Sequence, residues 1–114
     1  IQCGLADYIS ITPDHYAALS NFYQEKRDQF CELLAESRFS FRPAKGTFFQ
    51  ILDYSGITDK NDVEYAKELT RDIGVASIPV SVFCEQPSKD RLLRFCFAKD
   101  NAMLEEAGSR LCRL

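Results

Sequence analysis

Apolar residues recur at every third or fourth position in three stretches of the chain, residues 13–37, 62–73 and 101–114. This spacing puts them on one face of an α-helix, so the pattern predicts three amphipathic helices. The apolar positions are Tyr16, Leu19, Tyr23, Phe30, Leu33 and Leu34 in the first stretch, Val63, Ala66, Leu69 and Ile73 in the second, and Met103, Leu104, Ala107, Leu111 and Leu114 in the third.

Residues at the ends of these stretches have the types that begin and end helices. Thr12-Pro13 combines a hydroxyl N-cap with proline at the first helical position. Asn61 or Asp62 caps the second helix, and Asp100 caps the last. Gly74 is expected to end the second helix in a left-handed conformation.

Alternation with a period of two predicts a β-hairpin in the first half of the chain. Residues 39–42 alternate phenylalanine with polar residues, and residues 47–54 are rich in β-branched and aromatic types. Residues 43–46 read Pro-Ala-Lys-Gly, a typical turn. The pattern therefore predicts two paired strands here.

The second half adds two extended segments. Residues 75–83 are expected to be extended, with Pro79 marking a sheet edge or a loop. Residues 84–90 form a polar loop, and residues 91–98 form a buried strand. Helices and hairpin-like joins in this order predict an α+β fold, with a small, mainly antiparallel sheet and helices packed on one face.

Composition narrows the classes of function. The chain has 114 residues, 46% of them hydrophobic and 27% charged, which is typical of one globular domain. Its net charge of −3 gives no positive field for nucleic acid or anionic lipid. No apolar run approaches the roughly 20 residues that span a bilayer. We therefore expect neither a nucleic-acid partner nor a membrane partner.

The cysteines indicate a reducing compartment. Their number is odd, their spacing is wide and no C-x-x-C pair occurs, which argues against a disulfide framework or a zinc knuckle. We interpret most of them as small hydrophobic residues in a cytoplasmic protein. They are Cys3, Cys31, Cys84, Cys96 and Cys112.

The first residues predict a cut through a helix. Ile1, Leu5, Tyr8, Ile9 and Ile11 form an apolar run with no capping signal before it. We therefore expect this chain to be a segment of a longer protein.

Arg94 is the candidate for chemistry. Alternation places Leu93 and Phe95 on the packed face of the last strand, and Arg94 on the opposite face beside the small residues Cys96 and Ala98. A guanidinium held next to open space suits a carboxylate or phosphate bound through two hydrogen bonds. The alternative is an arginine on the solvated side of a half-exposed sheet, and spacing alone favours that alternative.

The other polar candidates have structural explanations. His15 is the only histidine and lies in a first helical turn, so it is expected on the surface, and no metal site is expected. Lys45 lies in a turn without phosphate-loop spacing. Lys26, Arg27 and Asp28 interrupt the first helical stripe and are expected to face water.

Four segments, in order, resemble the carboxy-terminal domain of class I/II pyridoxal-phosphate-dependent aminotransferases. They are NFYQEKRDQF, PAKGTFFQILDYS, GVASIPVSVF, and LLRFCFAK followed by LEEAGSRL. IPVSVFC with RFCFAK looks most like the branch that contains methionine aminotransferases and kynurenine/glutamine transaminases. Many relatives outside that branch have glycine where this chain has Val80.

The resemblance implies a fold, a cofactor and one residue role. Residues 13–114 would be the small domain of a fold-type I enzyme, and residues 1–12 the remnant of an inter-domain helix. Arg94 would bind the substrate α-carboxylate. Pyridoxal phosphate would be bound by the family's large domain, whose Ser-x-x-Lys type motif this chain lacks. No cofactor role is assigned to Lys26, Lys60, Lys67 or Lys89, so this chain alone is expected to be inactive.

The implied activity is transfer of an amino group from methionine, an aromatic amino acid, kynurenine or glutamine to a 2-oxo acid. The parent protein is expected to be a cytoplasmic homodimer. Three alternatives remain open. They are a carbon–sulfur lyase of the same fold, an aminotransferase-like sensor domain of a transcription regulator, and a free-standing ligand-binding module.

Overall fold

The computed structural model describes residues 1–85 and 89–114. Within these residues the chain forms four α-helices and one three-stranded antiparallel sheet. The elements in chain order are α1 (Gln2–Ile11), α2 (Pro13–Leu33), β1 (Phe49–Asp53), α3 (Asp62–Glu68), a π-helical turn (Leu69–Ile73), β2 (Ile78–Pro79), a 3₁₀ turn (Val80–Phe83), β3 (Leu92–Cys96) and α4 (Asn101–Leu111).

The helix ends largely follow the capping signals. Asn61 accepts a hydrogen bond from the Glu64 N–H at 3.0 Å, and Asp100 caps α4 in the same way. Gly74 has φ of 75° and ends the helical region, as predicted. Thr12 is the N-cap residue and α2 begins at Pro13, as predicted, but the Thr12 hydroxyl donates back to the Tyr8 carbonyl at 2.7 Å and makes no capping hydrogen bond to α2.

The sheet has the strand order β1-β3-β2, with both neighbours antiparallel to the central β3. The predicted strand over residues 91–98 is therefore confirmed, although the structure limits it to Leu92–Cys96. Leu93, Phe95 and Phe97 point into the core and are at most 3% exposed. An α+β fold with a small antiparallel sheet is confirmed.

The predicted hairpin was wrong in its first arm. Ser40 makes only an isolated bridge to Asp53, with N–H to carbonyl distances of 2.9 and 2.8 Å. The next residues leave strand geometry because the buried Gln50 amide donates to the Arg42 carbonyl at 2.9 Å and accepts from the Ala44 N–H at 3.0 Å. The long-range partner of β1 is β3.

The extended segment predicted over residues 75–83 was also partly wrong. Pro79 does lie on an edge strand, but β2 is two residues long and residues 80–83 turn into a 3₁₀ helix. The polar loop predicted over residues 84–90 includes residues 86–88, which lie outside the described residues.

The core lies between one face of the sheet and helices α2, α3 and α4. It is made of large apolar side chains from every layer, namely Phe30, Leu34, Phe39, Leu52, Tyr54, Tyr65, Ala66, Leu69, Val75, Leu93, Phe95, Phe97, Leu104 and Leu111. Gln50 lies among them, with 1% of its surface exposed. Its amide hydrogen bonds offset the cost of burying it.

Some side chains lie outside the environment that the pattern predicted. Tyr16 and Met103 are about half exposed, because α2 extends past the core and α4 contacts it through a narrower stripe. Lys26 and Arg27 do not simply face water. Lys26 donates to the Asn101 side chain at 2.8 Å, and Arg27 donates to the Ala44 carbonyl at 2.9 Å, so both link α2 to neighbouring segments.

All five cysteines are free thiols. Cys31 and Cys96 are half-buried, whereas Cys3, Cys84 and Cys112 are exposed. Half-burial of Cys31 and Cys96 agrees with the interpretation as small hydrophobic residues, whereas exposure of the other three does not. Within residues 1–85 and 89–114, every helix is too short or too polar to span a bilayer.

Candidate functional site on the open face of the sheet

Arg94 lies at the middle of β3, on the face of the sheet that the helices do not cover. Its cross-strand neighbours are Ile51 on β1 and Ile78 on β2. Both isoleucines are exposed, at 45% and 40%, while the residues on either side of Arg94 in the chain are buried. The predicted direction of the Arg94 side chain, away from the helices, follows from this alternation.

Two phenyl rings hold the guanidinium. The Arg94 Cζ lies 4.1 Å from the ring centroid of Phe49 and 4.7 Å from that of Phe83. Both distances are within the range of a cation–π contact, which favours the charged group on an aromatic face. The two rings therefore occupy part of the space that the small residues Cys96 and Ala98 were predicted to leave open.

Arg94 has no ion pair within residues 1–85 and 89–114, and its Nε atom is buried without a hydrogen-bond partner. Arg91, just before the same strand, contrasts with it, since the Arg91 Nη2 lies 2.7 Å from Asp59 Oδ1. A buried donor without a partner costs about 1–3 kcal/mol. Arg94 is thus a fixed, positively charged fork that lacks an anion among the described residues, and a carboxylate matches its geometry.

Sequence reasoning missed Phe49 and Phe83. Phe49 could have been found, since it precedes Ile51 by two positions and so shares its face. Phe83 carried no such signal, because it lies in the 3₁₀ turn that the extended pattern did not predict.

The other sequence candidates lie away from Arg94 in the fold. His15 is exposed at the start of α2 and packs its ring edge-on against Tyr8 at 5.9 Å. Lys45 lines a cavity of about 390 Å³ between α2 and the loop before β1, together with Arg27 and Phe48. Among the described residues no group of three or more metal-binding side chains comes together.

The described lysines do not fit a pyridoxal-phosphate site. A Schiff-base lysine needs an amine free of other partners and enclosed beside the cofactor ring. Lys26 donates to Asn101, and Lys60 is paired with Glu68. Lys67 and Lys89 are exposed to solvent. None of these four lysines therefore has the surroundings that a Schiff base requires.

The family model and two sequence relatives that match this chain are aminotransferases. The family model "Aminotransferase class I and II" matches residues 4–111. A methionine aminotransferase of Escherichia coli is 45% identical over 113 residues, which is 99% of this chain and 29% of the relative. A probable N-succinyldiaminopimelate aminotransferase of Mycobacterium tuberculosis is 34% identical, over 83% of this chain and 26% of the relative.

Solved structures agree with the sequence relatives. The crystal structure of an Escherichia coli protein with methionine aminotransferase function superposes with a TM-score of 0.91 at 45% identity, covering 96% of this chain and 29% of that one. The Mycobacterium tuberculosis N-succinyldiaminopimelate aminotransferase superposes with a TM-score of 0.88 at 31% identity, covering 98% and 29%. The chain thus spans less than a third of the length of these relatives, and it belongs to the class I and II aminotransferases.

Proposed function

We propose that the protein containing this chain is a pyridoxal-phosphate-dependent aminotransferase, and that Arg94 binds the α-carboxylate of its substrate. The observation that carries the proposal is the unpaired guanidinium on the open face of the sheet, held against Phe49 and Phe83. The family supports an amino-group transfer, and the similarity to methionine aminotransferase and, at 26% identity, to mouse kynurenine–oxoglutarate transaminase 1 supports the donor class.

The donors proposed are methionine, aromatic amino acids, kynurenine and glutamine, with a 2-oxo acid as acceptor. The side chains around Arg94 agree with an uncharged donor, since Ile51, Ile78 and Phe83 present apolar surface beside the guanidinium. A charged donor side chain would lose hydration against this surface without gaining a partner there.

Arg94 would act by orientation. Two parallel N–H···O bonds to a carboxylate fix both the position and the plane of the substrate. Each charge-assisted bond contributes about 1.5–3 kcal/mol. A fixed substrate presents its Cα–H bond in one direction, and such positioning is a large part of enzymatic rate enhancement. Pyridoxal phosphate would be bound outside this chain, by the large domain that the family resemblance implies.

The activity is tested with the full-length protein, pyridoxal phosphate, each proposed donor and a 2-oxo acid. The proposal expects a new amino acid to form from the 2-oxo acid. A lyase would release ammonia and an oxo acid without needing an acceptor. A regulator would bind the amino acid without turnover and would bind DNA. Either result, or no transfer with any proposed donor, would contradict the proposal.

The role of Arg94 is tested in the same protein. Arg94→Ala should lower kcat/KM for the amino acid by about 30- to 900-fold, equivalent to about 2–4 kcal/mol. Arg94→Lys should also be impaired, because an ammonium cannot reproduce the planar fork. Arg91→Ala is the matched control, since it removes an arginine near the same strand whose partner is the exposed Asp59. Equal losses for Arg94→Ala and Arg91→Ala would contradict a substrate contact.

The family resemblance also supports a cytoplasmic homodimer for the parent protein. Light scattering on the purified full-length protein measures the number of subunits, and a monomer would contradict this part of the proposal.

A further inference from the structure

Asp62 is a buried carboxylate that the proposed substrate contact does not use. It lies in the first turn of α3 and is 5% exposed. Its Oδ2 accepts a hydrogen bond from the Ser81 N–H at 2.8 Å, and its Oδ1 accepts one from the Ser81 hydroxyl at 2.7 Å. In the described ranges no cation is paired with it. Its contacts to Ser81 therefore hold two segments together that are 19 positions apart.

These two hydrogen bonds fix the 3₁₀ turn of residues 80–83. Ser81 is the second residue of this turn, and its carbonyl accepts a hydrogen bond from the Cys84 N–H at 3.0 Å. Phe83 belongs to the same turn, and its ring lies 4.7 Å from the Arg94 Cζ. Because Phe83 is 61% exposed, the core holds its ring only weakly, and the backbone of the turn decides where the ring lies.

The rings of Phe49 and Phe83, on either side of Arg94, are thus positioned by different parts of the fold. Phe49 is part of β1, which the sheet hydrogen bonds fix against β3. Phe83 lies in a short turn that follows β2 and whose backbone is hydrogen-bonded at Ser81 to the Asp62 carboxylate. Loss of this anchor would leave Phe49 in place and release Phe83, so the guanidinium would gain freedom on one side.

We propose that Asp62 is a positioning residue for Arg94, acting through Ser81 and Phe83. The inference rests on the proposed carboxylate-binding role of Arg94. Substrate affinity would then depend on the Asp62 carboxylate, although this group does not touch the substrate. The contribution is that of a cation–π contact, about 0.5–2 kcal/mol. This is equivalent to a change in affinity of roughly 2- to 30-fold.

The test uses the full-length protein and the amino donor that is active in the transfer assay. Asp62→Ala should raise KM roughly 2- to 30-fold while kcat changes less than about twofold. Asp62→Asn should restore most of the affinity, because its amide oxygen can accept from the Ser81 N–H and its amide nitrogen can donate to the Ser81 hydroxyl. A role in stability alone would lower the active fraction, and therefore kcat, without this change in KM.

A double-mutant cycle with Phe83→Ala tests whether Asp62 acts on Arg94 through Phe83. If Asp62 acts through Phe83, Asp62→Ala should raise KM little further once Phe83 is alanine. Ser81→Ala removes only the hydroxyl contact and should cause a smaller rise in KM that also disappears in the Phe83→Ala background. This variant tests the same contact if Asp62→Ala does not fold.

The outcomes separate this inference from the proposed function. A large loss with Arg94→Ala together with unchanged KM in the Asp62 and Ser81 variants would overturn the positioning role and leave the substrate contact standing. Additive effects of Asp62→Ala and Phe83→Ala would also overturn it. No effect of Arg94→Ala would overturn the proposed carboxylate contact itself.

Discussion

Arg94 and Arg91 lie close together in the chain but in different electrostatic environments. Arg91 is paired with the exposed Asp59 before β3 begins, whereas Arg94 contacts two aromatic rings and leaves its Nε without a partner. Desolvated arginines are usually paired, because an unpaired buried charge is costly. The difference favours Arg94 over Arg91 as the arginine to which a carboxylate could bind.

Tyr54 is the residue whose protonation should affect stability at high pH. Burial is the main cause that raises the pKa of its hydroxyl to about 12, and the nearby Asp62 carboxylate adds to the shift. In the unfolded chain a tyrosine ionises near pH 10. The folded state therefore binds its proton more tightly, and this stabilisation is complete below pH 10 and is lost as the pH rises towards about 12.

As the pH rises above 10, the free energy of unfolding should fall less for Tyr54→Phe than for the wild type, by up to about 2 kcal/mol. The measurement is urea unfolding of the 114-residue chain at a series of pH values. Tyr16→Phe, at an exposed tyrosine, is the matched control for removing a hydroxyl. Parallel curves for wild type and Tyr54→Phe would contradict the raised pKa.

At the scale of elements, α2 and α4 approach each other closely at Gly108. A Cβ atom added there would lie 2.9 Å from the Leu33 Cβ, nearer than side chains pack. Gly108→Ala should therefore lower the free energy of unfolding by about 1–2 kcal/mol, despite the better helix propensity of alanine. Chemical denaturation of the 114-residue chain measures this.

Gly4→Ala is the control for Gly108→Ala, because a Cβ at Gly4 would meet nothing within 4 Å. It should be neutral or stabilising by up to about 1 kcal/mol. Destabilisation of similar size in both variants would show that close packing of α2 on α4 is not the cause.

The central strand illustrates what could be predicted from sequence and what could not. Alternation of Leu93, Phe95 and Phe97 predicted the strand and the direction of Arg94, because burial on one face imposes a period of two. The turn at Phe83 could not be predicted, since it depends on contacts between Ser81 and Asp62, which are distant in sequence. Local periodicity carries no information on such pairs.

The wrong prediction of a hairpin over residues 39–54 has the same cause, because strand pairing depends on contacts between residues distant in sequence. The residues of β1 have strand character, but local pattern does not say whether their partner is the preceding segment or β3. The Gln50 side chain forms hydrogen bonds to Arg42 and Ala44, which favour a non-strand conformation of the preceding segment. Strand propensities of single residues do not describe such contacts. The role proposed for Arg94 came from the resemblance to a family, because spacing alone favoured an arginine on the solvated side of the sheet.

At the scale of the whole molecule, α1 is the element with the least support. None of its residues is buried, and its apolar side chains Leu5, Ile9 and Ile11 are exposed. In a dilute, monomeric sample of the 114-residue chain, the amides of α1 should exchange hydrogen faster than those of β3. Equal protection of the two elements, measured by mass spectrometry, would contradict this.

The isolated chain should not form a specific adduct with pyridoxal phosphate. The described lysines are either paired or exposed, so none is prepared for a Schiff base. Absorbance during titration with the cofactor, followed by borohydride reduction and peptide mapping, measures adduct formation. A stoichiometric adduct at one lysine would be the contrary result.

Substrates with and without a carboxylate distinguish carboxylate recognition by Arg94 from a structural role. The full-length protein and its Arg94→Ala variant are assayed with the active amino acid and with the amine formed by its decarboxylation. We expect kcat/KM for the amino acid to fall by about 30- to 900-fold, while kcat/KM for the amine changes less than about threefold. Equal losses for the amino acid and the amine would show that Arg94 is structural and that the carboxylate is bound elsewhere.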